Sequence, residues 1–401
     1  MNVKIAPSVA KGSVIPPPSK SYAHRLLVCA ALSDGKSVIE NIGTNDDILA
    51  TAECLNNMGA QITIDGTTAT VKGISYSERV DKLSLFCNES GSTLRFLIPL
   101  SLVFSKEIVF SGKGRLMERP QTVYEELFKT KGFFLEKTGD GLTVSGQLHS
   151  GIYEVAGDVS SQFITGLLFT LPLLQGDSEI RLTTPLQSAP YVDITIDVLS
   201  RFGVEISRDG DVFYIKGDQQ YKPCDAVCEG DWSNAAFLDA FNLAGGQVVL
   251  DNMNTNSKQG DRVYKEYFNL LCNGTPTLDI SQCPDLGPVL IACAVLKNGA
   301  TLKGTSRLKI KESDRGQVMA QELRKLGVNV EIGDDYIIVP QSELNTPCES
   351  IDCHNDHRIA MSFSVLCSVV GGVLAGAECV SKSYPEFFKD IKELGIQYKI
   401  I

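Results

Sequence analysis

The sequence predicts a mixed α/β fold (α+β) of two domains, each built from three βαβαββ repeats around a common core. A length of 401 residues corresponds to two or three domains of about 150 residues. Hydrophobic residues make up 43% of the chain and charged residues 21%, an ordinary globular composition that excludes intrinsic disorder. One order of helix and strand patterns recurs six times, and six units divide into two groups of three.

Each repeat has the pattern strand–helix–strand–helix–strand–strand. The same order is visible in residues 32–73, 174–217 and 296–339. The second helix of each segment ends at a glycine, where a left-handed cap is sterically free. These glycines are Gly59, Gly203 and Gly327. One unit is too small to bury its own helix, so three units are expected to share a core. A solenoid is not favoured, because its repeats are usually about 20–50 residues long.

The first helices of the six repeats are expected to begin in register. Their starts are 70, 70, 70, 54 and 71 residues apart, at Ser21, Gly91, Ser161, Asp231, Asp285 and Asp356. The first three starts lie in serine-containing motifs, and the last three are aspartates. A helix N-terminus favours anions, so the first three can receive a ligand anion while the others carry their own carboxylate. Simple helix capping by Ser and Asp is the other interpretation, and it stays open.

Composition and charge restrict the partners and the compartment. A formal net charge of −11 provides no general attraction to nucleic acid or to anionic lipid. No run of about 18 apolar residues is present, and the N-terminus lacks the apolar core of a secretory signal. The twelve cysteines lie mostly inside apolar runs, as buried thiols of a reducing compartment do. We therefore expect a cytoplasmic protein without nucleic-acid or membrane partners.

A cluster of Cys348, Cys353, His354 and His357 raises the question of a metal site. The four residues fall within ten positions, and no second Cys/His pair accompanies them. Zinc sites have a different ligand spacing. No metal is therefore expected.

The start of the first repeat carries a candidate phosphate site. Lys20, Ser21 and Arg25 bring an ammonium, a hydroxyl and a guanidinium to one helix N-terminus, which suits a phosphate group. The buried stripe of this helix is expected to consist of Tyr22, Ala23, Leu26, Leu27, Ala30 and Ala31. Arg25 is therefore expected to face away from the core, toward either solvent or a ligand.

Three further charged motifs are weaker signals when each is taken alone. Residues 311–315 form the charge run Lys-Glu-Ser-Asp-Arg at the start of an amphipathic helix, and such runs are usually solvated. Asp356-His357-Arg358 precedes another helix, where His357 fits a structural role equally well. Residues 112–120 form a cationic loop that ends in Glu118-Arg119-Pro120.

Taken together and in order, these motifs closely resemble the 3-phosphoshikimate 1-carboxyvinyltransferase (5-enolpyruvylshikimate-3-phosphate synthase) family over essentially the whole chain. The motifs are Pro18–Arg25, Gly91–Arg95, Glu118–Pro120, Ser160–Phe163, Lys311–Arg315 and Asn355–Arg358. The resemblance implies the enolpyruvyl transferase fold, in which each domain is an inside-out α/β barrel of three βαβαββ units. It also implies an N-terminal domain of residues 20–229, mainly on the shikimate 3-phosphate side. The C-terminal domain, residues 1–19 plus 230–401, would carry the catalytic carboxylates and several phosphoenolpyruvate cations.

The resemblance further implies the reaction. The enolpyruvyl group of phosphoenolpyruvate is transferred to the 5-hydroxyl of shikimate 3-phosphate, and phosphate is released, in aromatic amino acid biosynthesis. Both substrates are small molecules, no metal or organic cofactor is required, and a monomer is expected. The rival family that acts on UDP-N-acetylglucosamine has a reactive cysteine in the loop before the Arg-Pro pair, whereas residues 111–120 contain none. A non-catalytic anion-binding protein of the same fold is the other alternative.

Site residues follow from the resemblance, motif by motif. Those matching shikimate 3-phosphate contacts are Lys20, Ser21, Arg25, Ser160, Ser161, Ser188, Asp285 and Lys311. Those matching phosphoenolpyruvate contacts are Lys20, Gly91, Arg119, Gln162, Arg315, Arg358 and Lys382. Asp285 matches the general base on the 5-hydroxyl, Glu312 matches the group that protonates the methylene carbon, and Lys20 completes the acid–base set.

Two positions depart from the family pattern. The family usually has Asn two residues before the glycine matched to Gly91, and this chain has Glu89 there. A carboxylate facing phosphoenolpyruvate would repel it, so Glu89 is expected to turn away or the loop to differ. Arg307 stands where some members have a substrate-contacting Asn. Neither residue is assigned a role.

Overall fold

The computed structural model describes residues 1–75, 79–139 and 141–401. Its α-helices in this part of the chain are α1 Lys20–Leu32, α2 Asp46–Asn57, α3 Gly91–Phe104, α4 Thr122–Lys131, α5 Ser161–Thr170, α6 Ala189–Arg201, α7 Trp232–Leu243, α8 Tyr264–Asn273, α9 Gly287–Leu296, α10 Arg315–Arg324, α11 His357–Val370 and α12 Phe387–Glu393. Short 3₁₀ helices cover Leu116–Glu118, Leu171–Leu173, Gly260–Val263, Pro284–Leu286, Ser306–Ile310 and Ala377–Lys382. Over the same residues, no helix combines the length and the apolar character that a membrane span requires.

The strands of the described residues are mostly short. They are β1 Asn2–Ile5, β2 Lys11–Val14, β3 Lys36–Glu40, β4 Gln61–Asp65, β5 Thr68–Lys72, β6 Val80–Phe86, β7 Ser105–Ser111, β8 Phe134–Thr138, β9 Gly141–Ser145, β10 Ile152–Val155, β11 Ser178–Leu182, β12 Ile206–Asp209, β13 Val212–Ile215, β14 Ala226–Val227, β15 Gln247–Leu250, β16 Thr277–Asp279, β17 Ala300–Lys303, β18 Glu331–Ile332, β19 Tyr336–Val339, β20 Ile351–Asp352, β21 Gly372–Ala375 and β22 Tyr398–Ile400.

The chain divides into two units, each with its own hydrophobic core. One unit comprises Met1–Pro17 and Gly230–Ile401, and the other comprises Pro18–Glu229. The chain therefore crosses between the units after Pro17 and after Glu229, whereas the expected domain bounds fall after residue 19 and after residue 229. Met1–Pro17 lies with the C-terminal part of the chain, and its strand β1 pairs with β21 and β22.

The repeats share one sheet topology. Five sheets have four strands, in the orders β14-β3-β5-β4, β6-β7-β9-β8, β10-β11-β13-β12, β16-β17-β19-β18 and β20-β21-β1-β22. The first two strands of each sheet are parallel and the remaining pairs are antiparallel. Parallel neighbours need a crossover connection, which α3, α5, α9 and α11 provide within the chain. The repeated βαβ units and the mixed α/β class confirm the predicted fold class.

The fourth repeat departs from the predicted βαβαββ pattern. Its sheet contains only β2 and β15, which pair in parallel. The helix α8 ends at Asn273 and β16 of the next repeat begins at Thr277. The three residues between them are too few for a hairpin of two strands. This missing hairpin accounts for the one short spacing, 54 residues instead of 70, in the sequence.

The first helices of the repeats are buried on nearly all sides. In α1 every residue from Tyr22 to Leu32 is buried, and α9 is buried from Gly287 to Val295. A helix that is apolar on all sides lies inside a protein, so the predicted buried stripe on one face of α1 describes only part of its buried surface. Of the two directions expected for Arg25, solvent is therefore wrong, because this side chain is 3% exposed, and the direction toward a ligand stays a prediction.

Capping explains most of the predicted helix starts. Ser19, Ser90 and Ser160 are the N-caps of α1, α3 and α5, and their hydroxyls accept backbone N–H groups of the first turn. Asp231 and Asp356 cap α7 and α11 in the same way with their carboxylates. The sixth position, Asp285, lies instead in the 3₁₀ helix Pro284–Leu286, before α9 begins at Gly287.

Candidate active site

In the unit that contains Gly230–Ile401, Asp285 is the centre of a cluster of cations. Its Oδ1 lies 3.1 Å from Lys311 Nζ and 2.9 Å from Arg315 Nη1, and its Oδ2 lies 3.1 Å from Arg358 Nη2. Arg358 also donates to the Asp285 carbonyl and to Ser233 Oγ. Helix capping is therefore not the role of this carboxylate, because Leu286 occupies the N-cap position of α9.

Arg315 connects this cluster to two further carboxylates. Its Nε donates to Asp356 Oδ2 at 2.9 Å and its Nη2 donates to Glu312 Oε2 at 2.6 Å. Arg315 is 1% exposed. Burial works against the charged form, but Asp356, Glu312 and Asp285 together hold the pKa of Arg315 above its ordinary value. The charge run 311–315 is thus a largely buried ionic network and not a solvated helix face.

Lys311 is the cation of this cluster that titrates most readily. Its side chain keeps 23% of its surface exposed, while its ammonium is enclosed by charged neighbours. Burial lowers the pKa of Lys311 to about 8, against the opposing effect of Asp285 and with a further lowering by Arg315. Lys311 is therefore charged at neutral pH and loses its charge in mildly alkaline solution.

Lys382 is the last residue of the 3₁₀ helix Ala377–Lys382, and its side chain contacts the backbone of the turn before α11. Its Nζ donates to the Asn355 carbonyl at 2.7 Å. His354 and Asn355 both have positive φ, 49° and 53°, so the turn before α11 is a left-handed one. The same turn ends at Asp356, the N-cap of α11 and partner of Arg315. One local turn thereby positions Lys382, Asp356 and Arg358.

In the unit Pro18–Glu229, Lys20 forms an ion pair that the sequence did not predict. Its Nζ lies 2.9 Å from Asp47 Oδ2, and the two side chains are 16% and 11% exposed. Asp47 stands in the first turn of α2, where a carboxylate is favourable next to the helix dipole. Because such an acidic first turn is ordinary, nothing in the sequence marked Asp47 as the partner of Lys20.

Arg25 is a buried cation whose bonds go to neutral groups. It donates to Thr195 Oγ1, to the Ser21 and Tyr191 carbonyls and, at 3.4 Å, to Thr165 Oγ1. In the described part of the chain it has no carboxylate partner. Burial lowers the pKa of Arg25 to about 10, so the guanidinium still carries its charge at neutral pH. A buried charge without an anionic partner is energetically costly.

Gly91, the first residue of α3, makes room for Arg119. A Cβ at position 91 would lie 2.6 Å from Arg119 Nη1 and 2.9 Å from Arg119 Cζ. Arg119 is 8% exposed, and its Nε has no hydrogen-bond partner among the described residues. A nearly buried guanidinium therefore lies close to the N-terminus of a helix, where anions are favoured.

Gln162 is held in place by a buried arginine. Arg95 Nη1 donates to Gln162 Oε1 at 2.7 Å, and Gln162 Nε2 donates to Ser92 Oγ at 2.9 Å. Arg95 also donates to the Pro120 carbonyl, next to Arg119. Arg95 belongs to a motif that predicted the family, but its positioning of Gln162 was missed, since a spacing of 67 residues gives no pairing signal.

The serines matched to shikimate 3-phosphate lie at three helix starts of this unit, and Ser21 is in the first turn of α1. Ser160 and Ser161 begin α5, and Ser188 precedes α6. Ser188 is 3% exposed and has φ 57°, an uncommon conformation for a residue with a Cβ. The Ser188 carbonyl accepts the Tyr191 N–H, and the Tyr191 carbonyl accepts from Arg25. Arg25 and Ser188 are thus brought together by one turn.

The two residues that depart from the family pattern, Glu89 and Arg307, both contact neighbouring loops. Glu89 packs its carboxylate against Gly114, where an added Cβ would lie 2.5 Å from Glu89 Oε2. Arg307 is buried and donates to the Ser281 carbonyl.

In the cluster of cysteines and histidines that raised the question of a metal site, Cys348 is exposed, Cys353 is buried, and His354 contacts Glu322. No group of His, Cys, Asp and Glu among residues 1–75, 79–139 and 141–401 could hold a metal ion.

The contact between Gly91 and Arg119 leads to a first prediction. Gly91→Ala should displace the guanidinium, since backbone cannot move as easily as this side chain. The family resemblance assigns Arg119 to phosphoenolpyruvate, and on that assignment we expect the KM for this substrate to rise about 10- to 100-fold, the equivalent of one hydrogen bond to a charged group. Gly274→Ala is the matched control, because its Cβ would meet nothing within 4 Å. An unchanged KM in Gly91→Ala would contradict a role of Arg119 in binding.

Comparisons with known proteins agree with these observations. The profile of the EPSP synthase (3-phosphoshikimate 1-carboxyvinyltransferase) family matches residues 5–391. The 3-phosphoshikimate 1-carboxyvinyltransferase of Clostridium kluyveri is 44% identical, over 98% of this chain and 97% of the relative. The enzyme of the same name from Clostridium acetobutylicum is 40% identical over the same shares.

A solved structure shows the same fold. The EPSP synthase from Acinetobacter baumannii matches with a TM-score of 0.78 and 22% identity, over 99% of both chains. Near-complete coverage by the family profile and by relatives at 40–44% identity identifies the family. This chain belongs to the EPSP synthase (3-phosphoshikimate 1-carboxyvinyltransferase) family.

Proposed function

We propose that this protein transfers the enolpyruvyl group of phosphoenolpyruvate to the 5-hydroxyl of shikimate 3-phosphate and releases inorganic phosphate. The reaction is that of a transferase in the shikimate pathway, which leads to aromatic amino acids. The observation that carries the proposal is the Asp285 carboxylate, which takes bonds from Lys311, Arg315 and Arg358 instead of capping a helix. Both substrates carry a phosphate and a carboxylate, so a chain of net charge −11 must gather cations locally to bind them.

For shikimate 3-phosphate we assign six residues of the unit Pro18–Glu229. They are Lys20, Ser21, Arg25, Ser160, Ser161 and Ser188. The burial of Arg25 without a described carboxylate partner supports the assignment, because a phosphate would supply the missing charge. The strained Ser188 supports it as well, since strain of this kind clusters at ligand sites. Lys311 and Asp285 complete the set in the other unit.

For phosphoenolpyruvate we assign residues from both units. Lys20, Gly91, Arg119 and Gln162 belong to one unit, and Arg315, Arg358 and Lys382 belong to the other. The guanidinium of Arg119 against Gly91 suits a carboxylate or phosphate oxygen. Arg315 and Arg358 already bind a carboxylate, that of Asp285, so their geometry accepts anionic oxygens.

Asp285 is assigned as the general base on the 5-hydroxyl. Three cations contact its carboxylate, and a carboxylate held in this way is a poor base. Bound phosphate and carboxylate groups would take over bonds from Arg315 and Arg358, which frees an Asp285 oxygen to accept the hydroxyl proton. The substrates themselves would thereby raise the basicity of Asp285 at the moment it is needed.

Glu312 is assigned to protonate the methylene carbon, and Lys20 completes the acid–base set. Glu312 Oε2 lies 2.6 Å from Arg315 Nη2, so it stands beside the same cation as Asp285. The 5-hydroxyl oxygen adds to C2 of phosphoenolpyruvate while C3 gains a proton, which gives a tetrahedral ketal. Loss of a methyl proton and expulsion of phosphate then form the enol ether. Positioning and charge stabilisation supply the rate.

The lowered pKa of Lys311 predicts a pH dependence. The ammonium is charged below about pH 8 and loses its proton above it, so its attraction for a substrate anion is lost as pH rises. We expect kcat/KM for shikimate 3-phosphate, which reports the free enzyme, to fall above about pH 8. Lys311→Arg should remove this fall, since a guanidinium stays protonated there. The same fall in Lys311→Arg would assign it to another group.

A phosphate-release assay tests the proposed function. Purified protein with phosphoenolpyruvate should release phosphate only when shikimate 3-phosphate is added. Unphosphorylated shikimate and UDP-N-acetylglucosamine serve as control acceptors and should give none. Release with UDP-N-acetylglucosamine would indicate the rival transferase, and binding of both substrates without release would indicate a non-catalytic protein.

The proposal also includes a cytoplasmic location and a monomeric state. All twelve cysteines are free thiols, as a reducing cytoplasm allows. We expect a monomer, which sedimentation at micromolar concentration would test.

A further inference from the structure

A chain of buried hydrogen bonds connects the first three helices of the unit Pro18–Glu229. His24 Nδ1 of α1 lies 2.7 Å from Thr51 Oγ1 of α2, and Thr51 Oγ1 lies 2.6 Å from Thr93 Oγ1 of α3. Thr93 Oγ1 lies 2.7 Å from Ser90 Oγ, the N-cap of α3. All four side chains are at most 1% exposed. The mechanism above uses none of them.

The donor and the acceptor of each bond in this hydrogen-bond chain can be assigned, because each hydroxyl has only one hydrogen to donate. Thr93 donates to Ser90, so the 2.6 Å contact between the Thr51 and Thr93 hydroxyls takes the single Thr51 hydrogen. The Thr51 oxygen therefore accepts from His24, and the His24 proton is on Nδ1. The opposite tautomer would bury an Nε2–H group, and Nε2 has no partner in the described residues. A buried donor without an acceptor is the costlier state.

The surroundings keep this imidazole neutral. Burial is the main cause that holds the pKa of His24 well below its ordinary value, and the charges of Lys20 and Arg25 add to it. Phe96 meets the ring edge-on at a centroid distance of 6.2 Å. His24 is thus a fixed neutral donor, and it does not act as a proton carrier.

The last residue of this hydrogen-bond chain, Ser90, lies next to the candidate phosphoenolpyruvate contacts. Ser90 Oγ accepts both the Thr93 hydroxyl and the Thr93 N–H, which fixes the first turn of α3. The next residue, Gly91, lies against the Arg119 guanidinium. These hydrogen bonds therefore end at the helix N-terminus that contains Gly91.

We propose that His24 is a positioning residue for phosphoenolpyruvate: through Thr51 and Thr93 it fixes the Ser90 cap and, with it, the Gly91–Arg119 contact. The proposal rests on the function proposed above. His24 touches neither substrate in this account. It determines where the N-terminus of α3 stands, and its neutral Nδ1–H is the donor on which the other bonds depend.

The test combines steady-state kinetics with amide hydrogen exchange. Thr51→Val breaks the chain at nearly constant shape, and His24→Leu breaks it at its start. We expect both variants to raise KM for phosphoenolpyruvate about tenfold, the equivalent of one buried hydrogen bond, with kcat and KM for shikimate 3-phosphate within about twofold. Amides 91–95 should exchange faster in both variants.

Conservative and control variants separate positioning from general stability. Thr51→Ser keeps the hydroxyl, and His24→Asn keeps a donor near Nδ1, so both should behave like the unchanged protein. Thr170→Val is the matched control, because Thr170 is equally buried and its hydroxyl donates within α5, to the Gly166 carbonyl. It should leave both KM values and the exchange of amides 91–95 unchanged.

Each result decides the inference. Unchanged exchange at 91–95 in Thr51→Val overturns it, even if the protein proves to have no transferase activity. Equal loss of affinity for both substrates, or the same changes in Thr170→Val, also overturns it. If Thr51→Val does not fold, His24→Leu provides the same comparison from the other end of the chain. A protein that shows the exchange effect but no transfer would refute the proposed function alone.

Discussion

Asp285→Asn is expected to lower kcat by about 10²- to 10⁴-fold, the usual contribution of general base catalysis. An amide keeps the shape and much of the hydrogen bonding of the carboxylate but does not accept a proton at neutral pH. Substrate affinity should not weaken, because the lost function lies in the transition state. Stopped-flow or steady-state phosphate release, together with a thermal melt, measures both effects.

Asp231→Asn provides the control for this prediction. Asp231 opens the fourth repeat and caps α7 through its carboxylate. Because Asn caps about as well as Asp, this variant should keep its kcat and its melting temperature. If Asp285→Asn behaved like Asp231→Asn, another group would have to deprotonate the 5-hydroxyl.

Arg119→Ala and Arg358→Ala are expected to impair phosphoenolpyruvate use far more than shikimate 3-phosphate binding. Each change removes one partner of a desolvated charge pair, which costs about 2–5 kcal/mol. Arg119 is the clearer case, since in the described residues it has no ion-pair partner to be left behind. The measurement is kcat/KM for phosphoenolpyruvate beside the dissociation constant of shikimate 3-phosphate.

A surface arginine provides the control here. Arg181 pairs with Glu179 and its side chain is 46% exposed, so Arg181→Ala should change neither constant. Arg119→Lys should restore part of the activity, as it keeps the charge but not the flat guanidinium. An equal loss of affinity for both substrates in Arg119→Ala would refute its assignment to phosphoenolpyruvate.

Local sequence signals predicted the repeats and their helix starts well. Features that depend on tertiary packing, such as the burial of α1, were not predicted. Ser90, Ser160 and Asp356 cap helices within two residues of the predicted starts, since capping depends on neighbouring backbone only. The burial of Arg25 was missed because α1 is enclosed on every side, which a stripe of apolar residues cannot reveal. The missing hairpin of the fourth repeat appeared in the sequence only as a short spacing.

For the candidate site, the sequence predicted individual residues better than their partners. The motifs pointed to Lys20, Gln162 and Arg315, whereas the carboxylate or arginine that holds each one was not predicted. Asp47 lies 27 positions from Lys20, and Asp356 lies 41 positions from Arg315. Pairs so far apart in the chain are brought together only by tertiary packing, within one repeat or between two, and a single sequence carries no record of that packing.

The fate of the bridging oxygen of phosphoenolpyruvate tests the central claim most directly. Phosphoenolpyruvate labelled with ¹⁸O between C2 and phosphorus is mixed with shikimate 3-phosphate and the protein, and the products are followed by ³¹P NMR and mass spectrometry. Addition of the 5-hydroxyl and elimination of phosphate break the C–O bond, so all label should appear in phosphate and none in the enol ether. Unlabelled phosphate with labelled pyruvate, and no enol ether, would show P–O cleavage and would contradict enolpyruvyl transfer.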